Sequence, residues 1–366
     1  MFSEVAYKNA DACRFCWMCR HLCPISLKTG KEINSARARG LLVSLVKRGH
    51  EYDETMAANM WECCLCGACT NDCATGYEPR SYIREGRSIA IAEGLAPKNV
   101  MDVAEKFLET GNMYGDADLQ AQLRPHLEAI PEKAEVMLYI GEVAAKEVPE
   151  IAVAAMNLLK KTGITFGVLK NEPTSGAYMG DMIGFVEEVK QQGKALARAL
   201  DAAGAEDVVV LDPMDARMMK HEYKEWNCAP KARIHTATTY FAQLVAEGKL
   251  KLAKLEGTCS IHDAGALSRD LDETQPVRDL VAALGLVNVE LLRGKDLAKA
   301  TGGALLKQYA PHLSRLTVEG RWEDLLRTNV RMMVTEAPGS YAALKTDIPE
   351  DCVLDDVILL LDKAAQ

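Results

Sequence analysis

The chain has 366 residues, a formal net charge of −9 and 26% charged residues. That length suits two or three domains, and the acidic balance argues against a nucleic-acid binder. Apolar content of 48% is ordinary for a globular cytoplasmic protein, and no stretch approaches the roughly 18 uninterrupted apolar residues of a membrane span. Any service at the inner membrane is therefore expected to be peripheral and to run through a partner.

Residues 1–12 read as a short polar lead. Two cysteine runs follow, Cys13-x2-Cys16-x2-Cys19-x3-Cys23-Pro24 and Cys63-x2-Cys66-x2-Cys69-x3-Cys73, which take eight of the twelve cysteines. This is the spacing by which bacterial-type ferredoxins hold [4Fe–4S] clusters, three thiolates on one loop and the fourth reaching the other cluster. It assigns Cys13, Cys16, Cys19 and Cys73 to a first cluster, and Cys63, Cys66, Cys69 and Cys23 to a second. Thiolates suit iron as soft anionic ligands. Structural zinc and a single cluster are the competing readings, but zinc sites favour Cys pairs with longer gaps between them. Disulfides are disfavoured because nothing ahead of the first run resembles a secretory signal.

Between the runs, 31–48 reads as helix from the spacing of Leu41, Leu42, Leu45 and Val46, and 54–61 as a second helix. Helices are expected again at 81–93 and 98–110. The residues between the runs are helical rather than β-rich, which points to an all-α dicluster domain over 1–113. Arg14, Arg20, Lys28, Lys31, Arg37, Arg39, Lys47 and Arg48 face only Glu32 in this region. Such a basic stretch either tunes the clusters and docks an acidic partner or is a solvated helix face. Cys64 reads as a buried thiol beside the second cluster, with a redox role as the alternative. Phe15, Trp17 and Trp61 are expected to shield the clusters from water.

Residues 114–133 lack a clear period and read as a linker. Strands are then expected at 136–140, 164–169 and 207–211, with helices at 149–161 and 183–203, an alternation that implies a parallel sheet. A second set follows: strands at 258–262, 287–292 and 331–335, and helices at 276–284, 322–328 and 354–361. The fold class is α/β overall, with two α/β repeats over 134–250 and 251–366.

Two cysteine runs ahead of a duplicated α/β region resemble the iron–sulfur subunits of the glycolate oxidase, lactate-utilisation and heterodisulfide reductase (fused catalytic subunit) family. The resemblance covers essentially the whole chain. In that family each repeat carries a Cys-Cys-Gly-type signature. Here the frame remains without its thiols: Gly141-Glu142, Thr174-Ser175-Gly176 and Asp212-Pro213-Met214-Asp215 in the first repeat. The second has Ile261-His262-Asp263-Ala264-Gly265, Ala300-Thr301-Gly302-Gly303 and Ala337-Pro338-Gly339-Ser340. Because Gly, Ala, Ser and Thr do not replace thiolates, no non-cubane cluster is expected in the repeats. Cys228, Cys259 and Cys352 are isolated. Glu142, Asp212 and Asp215 could converge on a hard cation or simply cap helices. His262 and Asp263 read as a structural turn, or as an acid/base pair. No flavin or nucleotide fingerprint is present.

The resemblance implies a non-catalytic electron-transfer subunit in a hetero-oligomer. It would relay electrons between an FAD-containing 2-hydroxy-acid-type dehydrogenase or electron-transfer flavoprotein and a one-electron or quinone-linked acceptor, the C-terminal repeats serving as a docking scaffold. A heterodisulfide-reductase-like catalytic subunit with altered ligands, or a redox-sensing or assembly protein, is the alternative.

Overall fold

The computed structural model describes all 366 residues. No strand precedes residue 136, and the region up to Thr110 is built of helices. The first spans Glu4–Asp11, within the stretch that reads as a polar lead; Ser3 accepts from the Ala6 N–H to cap it, and Ala6, Tyr7 and Ala10 bury one face. Such a short apolar stripe is easily lost in an eight-residue window. The helix expected over 31–48 begins only at Ala36, because Ser35 is extended and accepts from Ala38 N as an N-cap. Asp53 caps Glu54–Trp61 in the same way. Helix Lys98–Thr110 stops at Gly111, whose φ of +77° suits glycine.

The stretch 114–133 holds short helical turns at Ala121–Leu123 and Arg124–Leu127. Leu123, Leu127 and Ile130 are buried, so these residues pack on the body rather than trail between domains.

Two four-stranded parallel sheets follow. The first comprises β1 (Val136–Tyr139), β2 (Phe166–Gly167), β3 (Asp207–Val210) and β4 (Arg233–Thr236), in the order β2-β1-β3-β4. The second comprises β5 (Thr258–Ile261), β6 (Val287–Asn288), β7 (Met332–Thr335) and β8 (Val353–Asp356), in the order β6-β5-β7-β8. The two orders are identical, which is the repeat in structural form. Central strands read as unbroken apolar runs because both faces are covered. β4 adds a strand that the sequence pattern does not announce, since Arg233-Ile-His-Thr236 looks like a surface stretch. The closing helix expected over 354–361 divides instead into β8 and helix Val357–Ala364, where Asp356 turns the chain by accepting from Ile358 N. The helix expected over 322–328 is the end of a longer one, Pro311–Leu326.

Equivalent turns recur in both repeats. Gly176 and Gly302 adopt φ of +80° and +81° and start helices Ala177–Ile183 and Gly303–Tyr309. Pro213 and Pro338 start helices Pro213–Lys220 and Pro338–Leu344 after β3 and β7. One apolar core of 93 residues runs from Phe2 to Ala364, so the helical region and both repeats share a single interior. In both sheets the chain reverses direction of growth at the central pair, β1/β3 and β5/β7. The crevice beyond the carboxyl ends of such a pair is where open α/β sheets bind ligands.

In the helical region, Tyr77 and Tyr82 both donate to Ala36 O, and a Cβ on Gly40 would meet Tyr77 Oη at 2.5 Å. Gly40→Ala is expected to lower stability by about 1–3 kcal/mol, read as a fall in thermal midpoint. Adding Tyr77→Phe should recover part of that loss.

Candidate metal centre and the adjoining cavity

The two cysteine loops have the same backbone. Phe15 and Trp17 sit at φ +55° and +69°, and Leu65 and Gly67 at φ +50° and +73°. These are the second and fourth residues after Cys13 and Cys63, respectively. In each loop the N–H two residues on faces the first thiol: Phe15 N at 3.5 Å from Cys13 Sγ, Leu65 N at 3.3 Å from Cys63 Sγ. Left-handed backbone costs a non-glycine residue roughly 1–2 kcal/mol. Alternating right- and left-handed residues turn successive N–H groups to one side and form an anion nest of the kind found at iron–sulfur sites. Bulky residues held this way in both runs fit a cluster that the loops wrap.

Cys23 of the first run lines a small cavity together with Cys63, Cys66 and Cys69 of the second. Cys73 lies 3.2 Å from Thr75 Oγ1, and that hydroxyl donates to Ala12 O beside Cys13. Burial pushes the Cys23 thiol up to about 12. The Cys64 thiol donates toward Cys66, which together with Arg269 brings Cys66 down to about 6. Cys64 lines both this cavity and a larger one described below.

Three arginines clasp the second run. Arg39, 1% exposed, donates to Asn34 O, Asn59 O and Glu62 O. Arg87, also 1% exposed, donates to Met60 O, Cys63 O and Asp181 O. Arg269, from the second repeat, donates from Nε to Cys66 O at 2.8 Å. All three donate to carbonyls, Arg87 also to Tyr309 Oη, and none forms an ion pair with a carboxylate. Buried cations of this kind are costly unless an anion balances them, and a thiolate-bound cluster supplies that charge. Arg39 thus leaves the basic skin expected from sequence and becomes internal. Arg269 owes its reach to Gly265, where a Cβ would come within 2.1 Å of its Nη2. A glycine at the family's cysteine position is therefore occupied space rather than a gap.

The first run faces outward. Cys16, Phe15, Trp17 and Met18 are exposed, so Phe15 and Trp17 lie over the loop at the surface. Arg37 stacks on Trp17 at 3.8 Å, and Arg20 lies 5.4 Å from the same ring. Only Trp61 is buried, its Nε1 donating to Met182 O.

The degenerate signatures meet. Asp212-Pro213 after β3, His262 and Gly265 after β5, Thr301-Gly302, and Gly339-Ser340 after β7 all line one cavity, with Cys64, Leu65 and Cys66 as one wall. The two switch points thus face one another across a shared space that sequence reasoning misses. No signal short of the sheet topology places these segments together.

The carboxylates of the first repeat are buried separately. Glu142 accepts from Met113 N, Asp212 from Tyr178 Oη and Met214 N, and Asp215 from Ser175 Oγ. Asp212 caps the helix that begins at Pro213. Burial pushes the carboxyls of Glu142 and Glu172 up to about 8 and holds Asp212 and Asp215 above their usual range. His262 and Asp263 are not a pair. His262 Nδ1 accepts from Arg321 Nε at 2.8 Å, while Asp263 binds Arg278 at 2.8 Å and accepts from Lys295 N. Cys228, Cys259 and Cys352 remain isolated free thiols.

Residues 9–77 match the 4Fe-4S dicluster domain family. A dihydromethanophenazine:CoB–CoM heterodisulfide reductase polypeptide of Methanosarcina acetivorans is 23% identical over 99% of this chain and 95% of its own length. A probable membrane-anchored ferredoxin of Chromohalobacter salexigens is 25% identical over 80% of this chain, and the EtfAB:quinone oxidoreductase of Syntrophomonas wolfei is 23% identical over 90%. The chain spans about half the length of these last two, 46% and 54%. The likeness to iron–sulfur proteins of the heterodisulfide reductase kind, drawn from the cysteine runs and the repeat frame, is thus present across the chain. No helix is long and apolar enough to cross a membrane.

A carboxyl held at about 8 in the fold and about 4.3 when unfolded takes up a proton on folding between those values. Its contribution to stability is therefore constant below about pH 4.3 and declines as pH rises to 8. Glu142→Gln retains an acceptor for Met113 N without the charge. The variant is expected to match the wild type in thermal midpoint near pH 4.5 and to exceed it increasingly toward pH 8. Each unit of the shift carries about 1.4 kcal/mol.

Proposed function

We propose that the chain is an iron–sulfur electron-transfer subunit that relays electrons between a partner flavoprotein and a one-electron or quinone-linked acceptor. The observation that carries this reading is the pair of strained, matching cysteine loops, one at the surface and one clasped by arginines inside. Cys13, Cys16, Cys19 and Cys73 would hold the outer [4Fe–4S] cluster, and Cys63, Cys66, Cys69 and Cys23 the inner one. Each cluster supplies one-electron chemistry. The residues of the chain position them. The exposed Phe15–Met18 segment, with Arg14, Arg20 and Arg37 around it, offers an apolar, basic contact surface for an acidic redox partner. An FAD-containing 2-hydroxy-acid-type dehydrogenase or an electron-transfer flavoprotein is that partner, in a hetero-oligomer. The names of the relatives, a heterodisulfide reductase and an EtfAB:quinone oxidoreductase, favour this class. The complex works in the cytoplasm or at the inner-membrane surface through its partner.

The repeats carry no third cluster in this reading. Their signature positions offer Glu142, Ser175, Asp212, Asp215, Gly265 and Ser340, an oxygen or nothing where a thiolate is needed. Of the other buried carboxylates nearby, Asp263 is paired with Arg278 and Asp181 with Arg84.

Protein purified anaerobically is expected to hold about eight irons per chain and to show two [4Fe–4S] signals on reduction. Cys73→Ser should perturb the signal that Cys16→Ser perturbs, and Cys23→Ser the one that Cys66→Ser perturbs. Iron near about four per chain, or Cys23→Ser acting with Cys16→Ser, would overturn the assignment.

A positive charge near a cluster favours its reduced, more negative state. Arg269→Gln keeps a donor for Cys66 O but removes that charge. The potential of the inner cluster is expected to fall by on the order of tens of millivolts, with the outer cluster unchanged in a redox titration followed by EPR.

A further inference from the structure

The first repeat buries acids with no base among them. Glu142, Asp212 and Asp215 are 4%, 2% and 2% exposed. Their partners are neutral: Met113 N for Glu142, Tyr178 Oη and Met214 N for Asp212, Ser175 Oγ for Asp215. Asp212 repels both others and Glu142 repels Asp215, with no Lys, Arg or His to offset them. Glu172 lies beside them, its oxygens accepting from Ile140 N and Gly141 N. Asp215 Oδ2 is buried without a partner. It points at Gly141, where a Cβ would lie 2.5 Å away. A buried carboxylate oxygen with neither donor nor counter-ion is strongly disfavoured. The ligand that removes its charge is a proton. Burial accordingly pushes Glu142 up to about 8 and holds Asp212 and Asp215 above the usual carboxylate range.

The charged groups on the surrounding elements are committed elsewhere. Asp181 is paired with Arg84, Glu222 with Arg217, Asp270 with Arg80 and Lys220 with Glu273. On β4, Arg233 and His235 both bind Asp207. Lys146 binds Asp116, Lys307 binds Glu147, and Lys224 and Glu225 lie at the surface. Arg87 and Arg269 donate to carbonyls of the inner loop, and His262 accepts from Arg321. Helix Pro338–Leu344 offers Asp212 a backbone group, Gly339 N. Asp212 and Tyr178 line a cavity of about 100 Å3 whose facing wall is Cys64 and Cys66. The acids therefore stand next to the place where the inner cluster changes charge.

We propose that reduction of the inner cluster is coupled to uptake of one proton by this set of carboxyls, with Asp212, the member that lines the cavity, as the acceptor. The inference rests on the relay reading above, since it needs a reducible inner cluster. The step balances: the cluster takes one electron from a one-electron reductant, and a carboxylate takes one proton from solvent. The net charge of the interior is then unchanged. Interacting acids titrate as a set. A unit charge on the order of 10 Å away, at an effective dielectric of about 20, changes their proton affinity on the order of tenfold. The reduced state binds the proton more tightly. Above the window neither state is protonated and below it both are, so the inner-cluster potential falls with rising pH only between the two affinities.

The test is a redox titration of anaerobic, cluster-loaded protein followed by EPR, repeated from about pH 6 to about pH 9. The inner-cluster midpoint is expected to fall by about 59 mV in total as pH rises, the equivalent of that tenfold change for one electron. The outer-cluster midpoint should stay constant. Asp212→Asn should make the inner midpoint independent of pH; the amide keeps an acceptor for Met214 N and a partner for Tyr178 Oη. Because Asp212 also caps a helix, Tyr178→Phe provides a second arm. It removes a donor to the carboxylate and should move the fall to higher pH, which a structural role alone would not do. A flat inner midpoint in the wild type overturns the inference. So does an equal fall in both clusters, or a fall unchanged in both Asp212→Asn and Tyr178→Phe. Two EPR signals with a flat inner midpoint leave the relay standing and strike only the proton coupling; absence of the inner signal from the wild type strikes both.

Discussion

The arrangement depends on a charge that the helical region and the second repeat together place around one loop. Arg39, Arg87 and Arg269 bring three guanidiniums to the backbone of residues 59–66, from three different parts of the chain. None is neutralised by a carboxylate, and burying a lone cation costs several kcal/mol. The loop they hold is strained in the same way as the first run. Two unfavourable features, buried positive charge and left-handed bulky residues, coincide at the place where four thiols surround a cavity. An anionic cluster resolves both at once. The neutral partners of the arginines make sense in these terms. The guanidiniums fix the loop by hydrogen bonds while leaving their charge for the cluster.

The same arginines explain why the helical region and the repeats share one core. Arg87 joins Met60 and Cys63 to Asp181, and Tyr309 Oη donates to Cys63 O. Arg80 reaches Asp270, and Arg84 reaches Asp181 at 2.8 Å. The inner loop is therefore a seam element that needs all three parts to be in place. The outer loop is not. Its aromatic residues lie at the surface, and its cysteines are more accessible. A protein that moves electrons between an external partner and an interior site needs this asymmetry, since tunnelling contacts must be open at one end and closed to water at the other.

Much of this is legible in the sequence because the chemistry is local. Cysteine spacing needs only a short window, and the helices flanking the runs follow from caps such as Ser35 and Asp53. Apolar runs such as Asp207–Val210 announce buried parallel strands. What stays hidden depends on distance in sequence. β4 is a polar-looking strand because it sits at a sheet edge, where one side of its ladder is unpaired. The division of 353–364 into strand and helix turns on a single cap, Asp356. Arg39 reads as one more surface charge until the fold places it under the loop. The convergence of Asp212, His262, Thr301 and Ser340 follows from strand order, which no local pattern encodes.

The repeats show how a binding space persists without thiol ligands. The turns at the signature positions are shaped by backbone, not by sulfur. Gly176 and Gly302 take the left-handed conformation and start a helix each, and Pro213 and Pro338 open the helices after β3 and β7. A frame of this kind keeps its switch-point crevice whether or not a cysteine side chain points into it. What fills it then decides its chemistry. In the first repeat, Ser175 with Asp215 and Tyr178 with Asp212 close polar pairs among themselves. In the second, Gly265 makes room for Arg269 to turn toward Cys66. His262 accepts from Arg321 Nε, and Arg321 in turn donates to Arg293 O. The turns that once framed ligands are thus held by bonds among neighbouring side chains and backbone, and the crevice keeps its shape through them.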